Sequence, residues 1–349
     1  MTNALHISGL ADWQVNGFQG VDFNRPELTV EQVQMVSECL AGEGVWYYMP
    51  TIITNDVYVI EHLITVIAQA ARAFGNHVVG DRRLARIVGI HLEGPFISPV
   101  DGARGAHPRQ FVMAPDIRLL EHWQELAGGM IRLLTLSPEW PEADRLIQRA
   151  CELGMRVAIG HTLATSEQIA AAVASGASLS THLGNGLPTM LPRHPNPVWD
   201  QLAQPKLWAS VIADGFHLPR SVFDVFRLAK GEQLFLVSDC TEFAGMPPGQ
   251  YASPIGGEVV LTAEGRLHLA DNEKLLAGSA LSLRQIVEKI VASGWLSLEQ
   301  AWDMAAVYPW RFLGEELPVE CKVTRTQSIC KDHRIFDSTV LKSNKGNKQ

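Results

Sequence analysis

The chain is poor in cysteine, in net positive charge and in long apolar runs, and each shortage removes a class of protein. Its 349 residues hold five cysteines, Cys39, Cys151, Cys240, Cys321 and Cys330, odd in number, mostly far apart and with no C-x-x-C pair. That argues against a disulfide framework or a thiolate zinc site and fits a reducing cytoplasm. Lys and Arg number 29 against 37 Asp and Glu, a formal net charge of −8, so no nucleic-acid footprint is expected. No apolar run approaches the ~18–20 residues that cross a bilayer, so no membrane partner is expected. The N-terminus, MTNALHISGLADW, has neither the basic nor the apolar region of a signal peptide. No G-x-G-x-x-G or Walker sequence follows the first apolar run, which disfavours an open nucleotide-binding sheet. There is no internal repeat.

What is present is the balance of a globular enzyme, 46% apolar and 19% charged residues, long enough for one large barrel or two ordinary domains. Short β-rich apolar runs alternate with helical stretches. LHISGLADWQV reads as a strand and VEQVQMVSECLAG as a helix. VWYYMPTII (45–53) is a strand before the helix VIEHLITVIAQAARAFG. ARIVGIHLE (85–93), MIRLLTLSPE, RVAIGH (156–161), ASLSTH (177–182), LWASVIADG and QLFLVSD (233–239) continue the series. Helices are expected at IRLLEHWQELAG, at EADRLIQRACELG, ended by Gly154, at SEQIAAAVASG and at RSVFDVFRLAKG. Continuous rather than alternating apolar strands suit a sheet buried on both faces. Eight such units predict an α/β fold, a closed (β/α)8 barrel of the TIM type, over residues 1–314. After the eighth strand come a Gly/Pro-rich segment, a hairpin (EVVLTAEGRLHLA, turning at Glu264-Gly265) and two more helices. Residues 315–349 change texture and are expected to form an irregular, partly disordered tail ending in the basic KSNKGNKQ.

Polar residues cluster at the C-terminal ends of these strands, the end that carries the active site in such barrels. HLEGP offers His91 and Glu93. The fifth and sixth strands end at His161 and His182. IADGFH offers Asp214 and His217, and the eighth strand ends at Asp239. Gln14, Asn16, His107 and Asn185 sit in loops at the same end. Singly, each has a bland reading: a His at a strand end is more often a hydrogen-bonded loop residue, and an Asp there an N-cap. Together they weaken that reading, because unrelated accidents would not gather on one face. One carboxylate and two imidazoles suit Zn2+ or another borderline divalent ion and leave a position open for water. Asp239 is placed to take a proton from that water and hand it to a leaving nitrogen.

In this order, QVNGFQGVDFN, MPTIIT, HLEGPFISPVDGARGAHP, IGHTLAT, THLGNG, IADGFHL, LVSDCTEFAG and LAGSALSL closely resemble the N-acetylglucosamine-6-phosphate deacetylases of the amidohydrolase superfamily. The likeness runs from about Gly9 to about Gly314. It implies metal-dependent hydrolysis of the N-acetyl amide of an amino-sugar 6-phosphate. Glu93, His161 and His182 match the ligands of one divalent ion, Zn2+ first, with Fe2+, Mn2+ or Co2+ as alternatives. Asp239 matches the general acid/base and His217 a substrate contact near the carbonyl. His107 matches a residue at the sugar, and Asn185, Gly186 and Arg193 a phosphate-contacting segment. Gln14-Val15-Asn16 stands where many superfamily members carry H-x-H for a second metal, and neutral amides are poor ligands there, so one metal is expected. A homodimer is implied, since relatives can receive a phosphate contact from the partner subunit.

The pattern departs at both ends. Only about ten residues precede the first strand, and the usual C-terminal pattern of the small accessory β-sandwich is not recognisable after Gly314, so that sandwich is expected to be reduced or absent. The phosphate segment has Gly184, Gly186 and R-H-P where better-known enzymes have bulkier residues and R-E-P-G. Two competing readings follow: an amidohydrolase on another N-acyl amine, and a non-catalytic sugar-phosphate-binding relative. Trp13, Trp46, Trp199, Trp208 and Trp310 are expected in the core or an interface, and Cys240 in packing.

Overall fold

The computed structural model describes residues 7–74, 78–79, 82–253 and 257–322. The basic end KSNKGNKQ lies outside them. The barrel strands are β1 (Leu10–Val15), β2 (Val45–Ile53), β3 (Ile90–Glu93), β4 (Ile131–Leu136), β5 (Arg156–Ile159), β6 (Ala177–Ser180), β7 (Trp208–Val211) and β8 (Leu234–Leu236). They pair in chain order, each parallel to the next. The ring is nearly closed. The residues after β8 meet β1 through a parallel bridge between Val15 and Cys240. The Asp239 N–H donates to Gln14 O at 2.9 Å, and the Ser238 N–H to the Asp12 carboxylate at 3.1 Å. A carboxylate thus does part of the work of a ladder on that seam.

The strand expected over 85–93 is interrupted. Arg86–Ile87 pairs with β2, and β3 begins only at Ile90. Gly89 lies against Arg132, with no room for a side chain.

The outer ring is α1 (Val30–Gly42), α2 (Val57–Phe74), α3 (Ile117–Leu126), α4 (Ala143–Glu152), α5 (Ser166–Ser175), α6 (Pro197–Ala203), α7 (Arg220–Lys230) and α8 (Leu283–Ala292). Starts are written in the local sequence. Thr29, Thr165 and Ser282 each close a capping box with a Gln three residues on, so two orphan N–H groups are satisfied reciprocally. Helix α2 reaches 18 residues and would suffice to cross a bilayer by length and composition alone. Glu61 and Arg72 interrupt it, and it turns Ile60, Leu63, Ile64 and Ile67 inward onto the core.

Helix α6 was not expected from the pattern, because its seven residues are too few to show a period. It is set by Asn196, whose side chain accepts from the Val198 and Trp199 N–H groups, with Pro197 at the first turn. Its far end is held by Lys230, whose buried ammonium donates to the carbonyls of Gln201, Gln204 and Leu207 at 2.8–2.9 Å. The Gly/Pro-rich segment and hairpin after β8 form a four-stranded antiparallel sheet over Gly249–Ser253, Gly257–Leu261, Leu267–Leu269 and Asn272–Leu276. It has its own small core of Phe243, Val259, Leu261, Leu267 and Ala280. Beyond Gly314 the chain stays on the barrel as far as it is described. Cys321 is fully buried beside Gly9 and Trp302, and Glu315 pairs with Arg132.

Trp13 and Trp310 are buried edge to face at 5.2 Å, and Cys240 is fully buried. Trp199 is 49% exposed on α6, so it is not a core residue.

Candidate metal centre and active site

Three side chains meet at the C-terminal mouth of the barrel. Glu93 ends β3, while His161 and His182 lie two residues past β5 and β6. His161 Nε2 and His182 Nε2 each stand 3.0 Å from Glu93 Oε1 and 3.1 Å from each other. Among the described residues this is the one group of at least three His, Cys, Asp or Glu donors that could hold a metal ion. Ligands of a tetrahedral ion at ordinary Zn–N and Zn–O lengths would be about 3.3 Å apart. The donors are therefore within a few tenths of an ångström of a coordination face and need no rearrangement to share a cation. All three side chains are buried, none more than 8% exposed.

The backbone is bent to achieve this. His161, His182 and Asp239 have φ of +50°, +30° and +50°, three of the five left-handed residues that are not glycine among the described residues. Such conformations are costly and persist where surrounding contacts over-determine them. Each residue stands just past its strand, where a left-handed step swings the side chain over the barrel mouth.

The surroundings of His161 are shaped for its ring. Its Nδ1 lies 3.0 Å from Ala103 O, which fixes the proton on Nδ1 and leaves Nε2 for the cluster. Gly105 and Gly186 press against the ring, and a Cβ on Gly186 would lie 2.9 Å from Nδ1. His107 packs edge to face on it at 4.4 Å, with its own Nδ1 2.9 Å from the Thr54 hydroxyl. On the far side of the chain, Glu139 accepts from the Thr162 hydroxyl and the Leu163 N–H.

The amides at the end of β1 serve carboxylates. Gln14 Nε2 donates to Glu93 Oε2 at 3.1 Å, and Asn16 Nδ2 to Asp239 Oδ1 at 2.7 Å. His217 Nδ1 lies 2.7 Å from Asp214 Oδ2, whose other oxygen accepts from the Phe216 and His217 N–H groups. Asn185 donates twice to His182 O, from its N–H at 2.9 Å and its side chain at 3.2 Å.

The electrostatics follow from burial and proximity. Burial alone would push the Glu93 carboxyl up, but the hydrogen bonds and charges of His161 and His182 hold it well below the carboxylate range. Burial opposes the charged form of His182, and Glu93 more than offsets that, so its pKa is raised. Asp239 is pushed up to about 6, by burial first and then by the Glu93 charge, with His182, Asn16 and His217 pulling the other way. Burial lowers His107 to about 3 and His91 to about 4, so both are neutral at pH 7. The ring nitrogens of His91 lie 2.8 Å from the Thr135 hydroxyl and 3.3 Å from that of Thr51, and His91 is not part of the cluster.

Of the residues singled out from the sequence, Glu93, His161, His182, Asp239, Gln14, Asn16, His107, Asn185 and Gly186 gather in one place. His217 faces it closely enough to act electrostatically on Asp239. Arg193 lies exposed in the loop before α6, as does His194. Asp214 caps no helix, since the N-cap of α7 is Pro219, and holds the His217 ring instead; its spacing three residues before a His was a usable signal. Ala103, which acts through its carbonyl, left none.

No protein-family model matches the chain. It is 34% identical over 336 residues to the N-acetylglucosamine-6-phosphate deacetylase of Lysinibacillus sphaericus, covering 96% of this chain and 82% of the relative. It is 30% identical over 305 residues to the N-acetylgalactosamine-6-phosphate deacetylase of Escherichia coli O157:H7, covering 87% and 76%. A solved N-acetyl-D-glucosamine-6-phosphate deacetylase from Mycobacterium smegmatis, a point mutant in complex with N-acetyl-D-glucosamine-6-phosphate, superposes with a TM-score of 0.77 at 26% identity, covering 88% and 78%. Barrel, cluster and relatives define a (β/α)8 hydrolase acting on amides, with a buried Glu/His/His group able to hold a metal ion. Within that class, the chain belongs to the N-acetylglucosamine-6-phosphate deacetylase family.

Proposed function

We propose that this protein hydrolyses the N-acetyl amide of N-acetylglucosamine 6-phosphate, releasing acetate and glucosamine 6-phosphate. The observation that carries the reading is the convergence of Glu93, His161 and His182 on one point, with Asp239 beside it. Glu93, His161 and His182 would hold one divalent ion, Zn2+ by their donor chemistry, which supplies a Lewis acid at which water loses its proton near neutral pH.

The rest of the work falls to the chain. Asn16 occupies Asp239 Oδ1, so Asp239 Oδ2 is the oxygen that takes the proton from water as the new C–O bond forms. The same oxygen then delivers it to the amide nitrogen as the C–N bond breaks. Asp214 occupies His217 Nδ1, which leaves His217 Nε2 for the substrate near its carbonyl. Thr54 engages His107 Nδ1 and leaves His107 Nε2 for the sugar. Gln14 braces Glu93 through Oε2 and is assigned to the substrate as well. The 6-phosphate is assigned to Asn185, Gly186 and Arg193. An exposed Arg193 suits delivery of its planar, two-pronged guanidinium across a subunit boundary, so a homodimer belongs to this reading.

The test is acetate release by the Zn2+-loaded protein from N-acetylglucosamine 6-phosphate, its galactose epimer and the two unphosphorylated sugars. Preference for the glucose epimer with phosphate is expected. Turnover of unphosphorylated N-acyl amines alone would replace the substrate. No turnover with metal bound would leave a binding protein.

A further inference from the structure

The two imidazoles of the cluster are held by different devices. The His161 ring is tied through Nδ1 to Ala103 O. The His182 ring has no such tie, since its buried Nδ1 meets no protein partner among the described residues. What holds His182 is its backbone. Strand β6 pairs with β7 through Leu179 opposite Trp208 and Ser180 opposite Ala209, and the ladder would next place the His182 peptide against Ser210. At that point the chain turns left-handed, with His182 φ at +30°. The Ser210 side chain reaches into the turn: its hydroxyl oxygen accepts the His182 N–H at 2.9 Å, while Ser210 O accepts the Leu183 N–H at 2.8 Å. Ser210 is 2% exposed, and its hydroxyl proton points back to Ser180 O at 3.4 Å. One residue thus catches both peptide N–H groups that flank the bend carrying the ligand.

We propose that Ser210 is a positioning residue for His182, its hydroxyl replacing the strand hydrogen bond that the left-handed step gives up. The inference rests on the metal reading above. With Ser210 reduced to alanine, the His182 N–H has no acceptor, the left-handed peptide is free to relax, and the untethered ring loses its aim at Glu93 Oε1. The neighbouring Ser180 provides the control: its hydroxyl is buried at the same strand pair and has no partner among the described residues.

The experiment measures Zn2+ affinity by competition with a chromophoric chelator, and the visible spectrum of the Co2+ form, for the whole chain and its variants. Ser210→Ala is expected to weaken Zn2+ about tenfold or more, the range seen when groups that orient metal ligands are removed, and to alter the Co2+ bands. Ser180→Ala should leave both unchanged, and Ser210→Thr, which keeps the oxygen, should recover most of the affinity. Should Ser210→Ala not fold, Ser210→Cys supplies the same comparison with a poorer acceptor. Wild-type affinity and spectrum in Ser210→Ala would overturn the inference, even if its melting temperature fell. A wild-type protein that binds neither Zn2+ nor Co2+ would overturn the metal reading itself, and this inference with it.

Discussion

Asn16 Nδ2 donates to Asp239 Oδ1 at 2.7 Å and to the Asp239 backbone carbonyl at 3.3 Å, so one amide fixes both the carboxylate and the left-handed peptide beneath it. Replacing Asn16 with Leu should therefore lower kcat about 10- to 100-fold while KM changes little. An unchanged kcat would show that Asp239 needs no such support.

The same contact has a consequence for pH. Burial, then the Glu93 charge, raises Asp239 to about 6, and a general base works in its ionised form. Activity should rise with pH and be lost as pH falls through the Asp239 value. A bound cation favours the carboxylate, so the acid limb of kcat/KM should lie at or below about pH 6. Asn16 donates to the charged form, so its removal should move that limb to higher pH. A limb that stays in place in Asn16→Leu would assign it to another group.

Asp239→Asn keeps the shape but cannot accept a proton. It should cost about 10²–10⁴ in kcat, the range for a positioned acid–base group, with metal content unchanged. Metal lost in parallel with activity would make Asp239 a ligand instead.

Glu93→Gln should take up far less Zn2+ than the wild type. For the wild type, free Zn2+ at a hundred times its Kd should add about 2.7 kcal/mol of stability, read as a higher melting temperature than after chelation. Equal melting temperatures with and without metal would argue that no ion binds the folded cluster.

Gly186 has φ +63° and lies against the His161 ring. Gly186→Ala adds about 1–2 kcal/mol of backbone strain and drives a methyl into Nδ1, which should break the bond to Ala103 O and weaken metal binding. Away from the site, Lys230→Met takes the ammonium donor from three carbonyls, of which those of Gln201 and Gln204 keep a backbone N–H, and should cost about 1–3 kcal/mol of stability, with kcat unchanged.

The barrel was legible from the chain because its strands are buried on both faces. Residues 45–53 and 30–42 could be bounded to the residue, since a continuous apolar run and a capping box mark their ends. Helix α6 was not legible, because it depends on Asn196 at one end and on Lys230, some thirty residues on, at the other. The sheet after β8 showed only its central hairpin. Its outer strands, Gly249–Ser253 and Asn272–Leu276, are largely exposed and lack an apolar signature.

The candidate site divides in the same way. Which residue types stand at the strand ends is a property of the sequence, and it selected Glu93, His161, His182 and Asp239 together with the chemistry they can perform. Their distances, the left-handed bends that aim three of them, and the partners Ala103, Asn16, Asp214 and Ser210 were decided only when eight strands closed into a ring. That closure brings Asn16 beside Asp239 across a gap of 223 residues, and a spacing of that kind has no local trace for a linear reading to find.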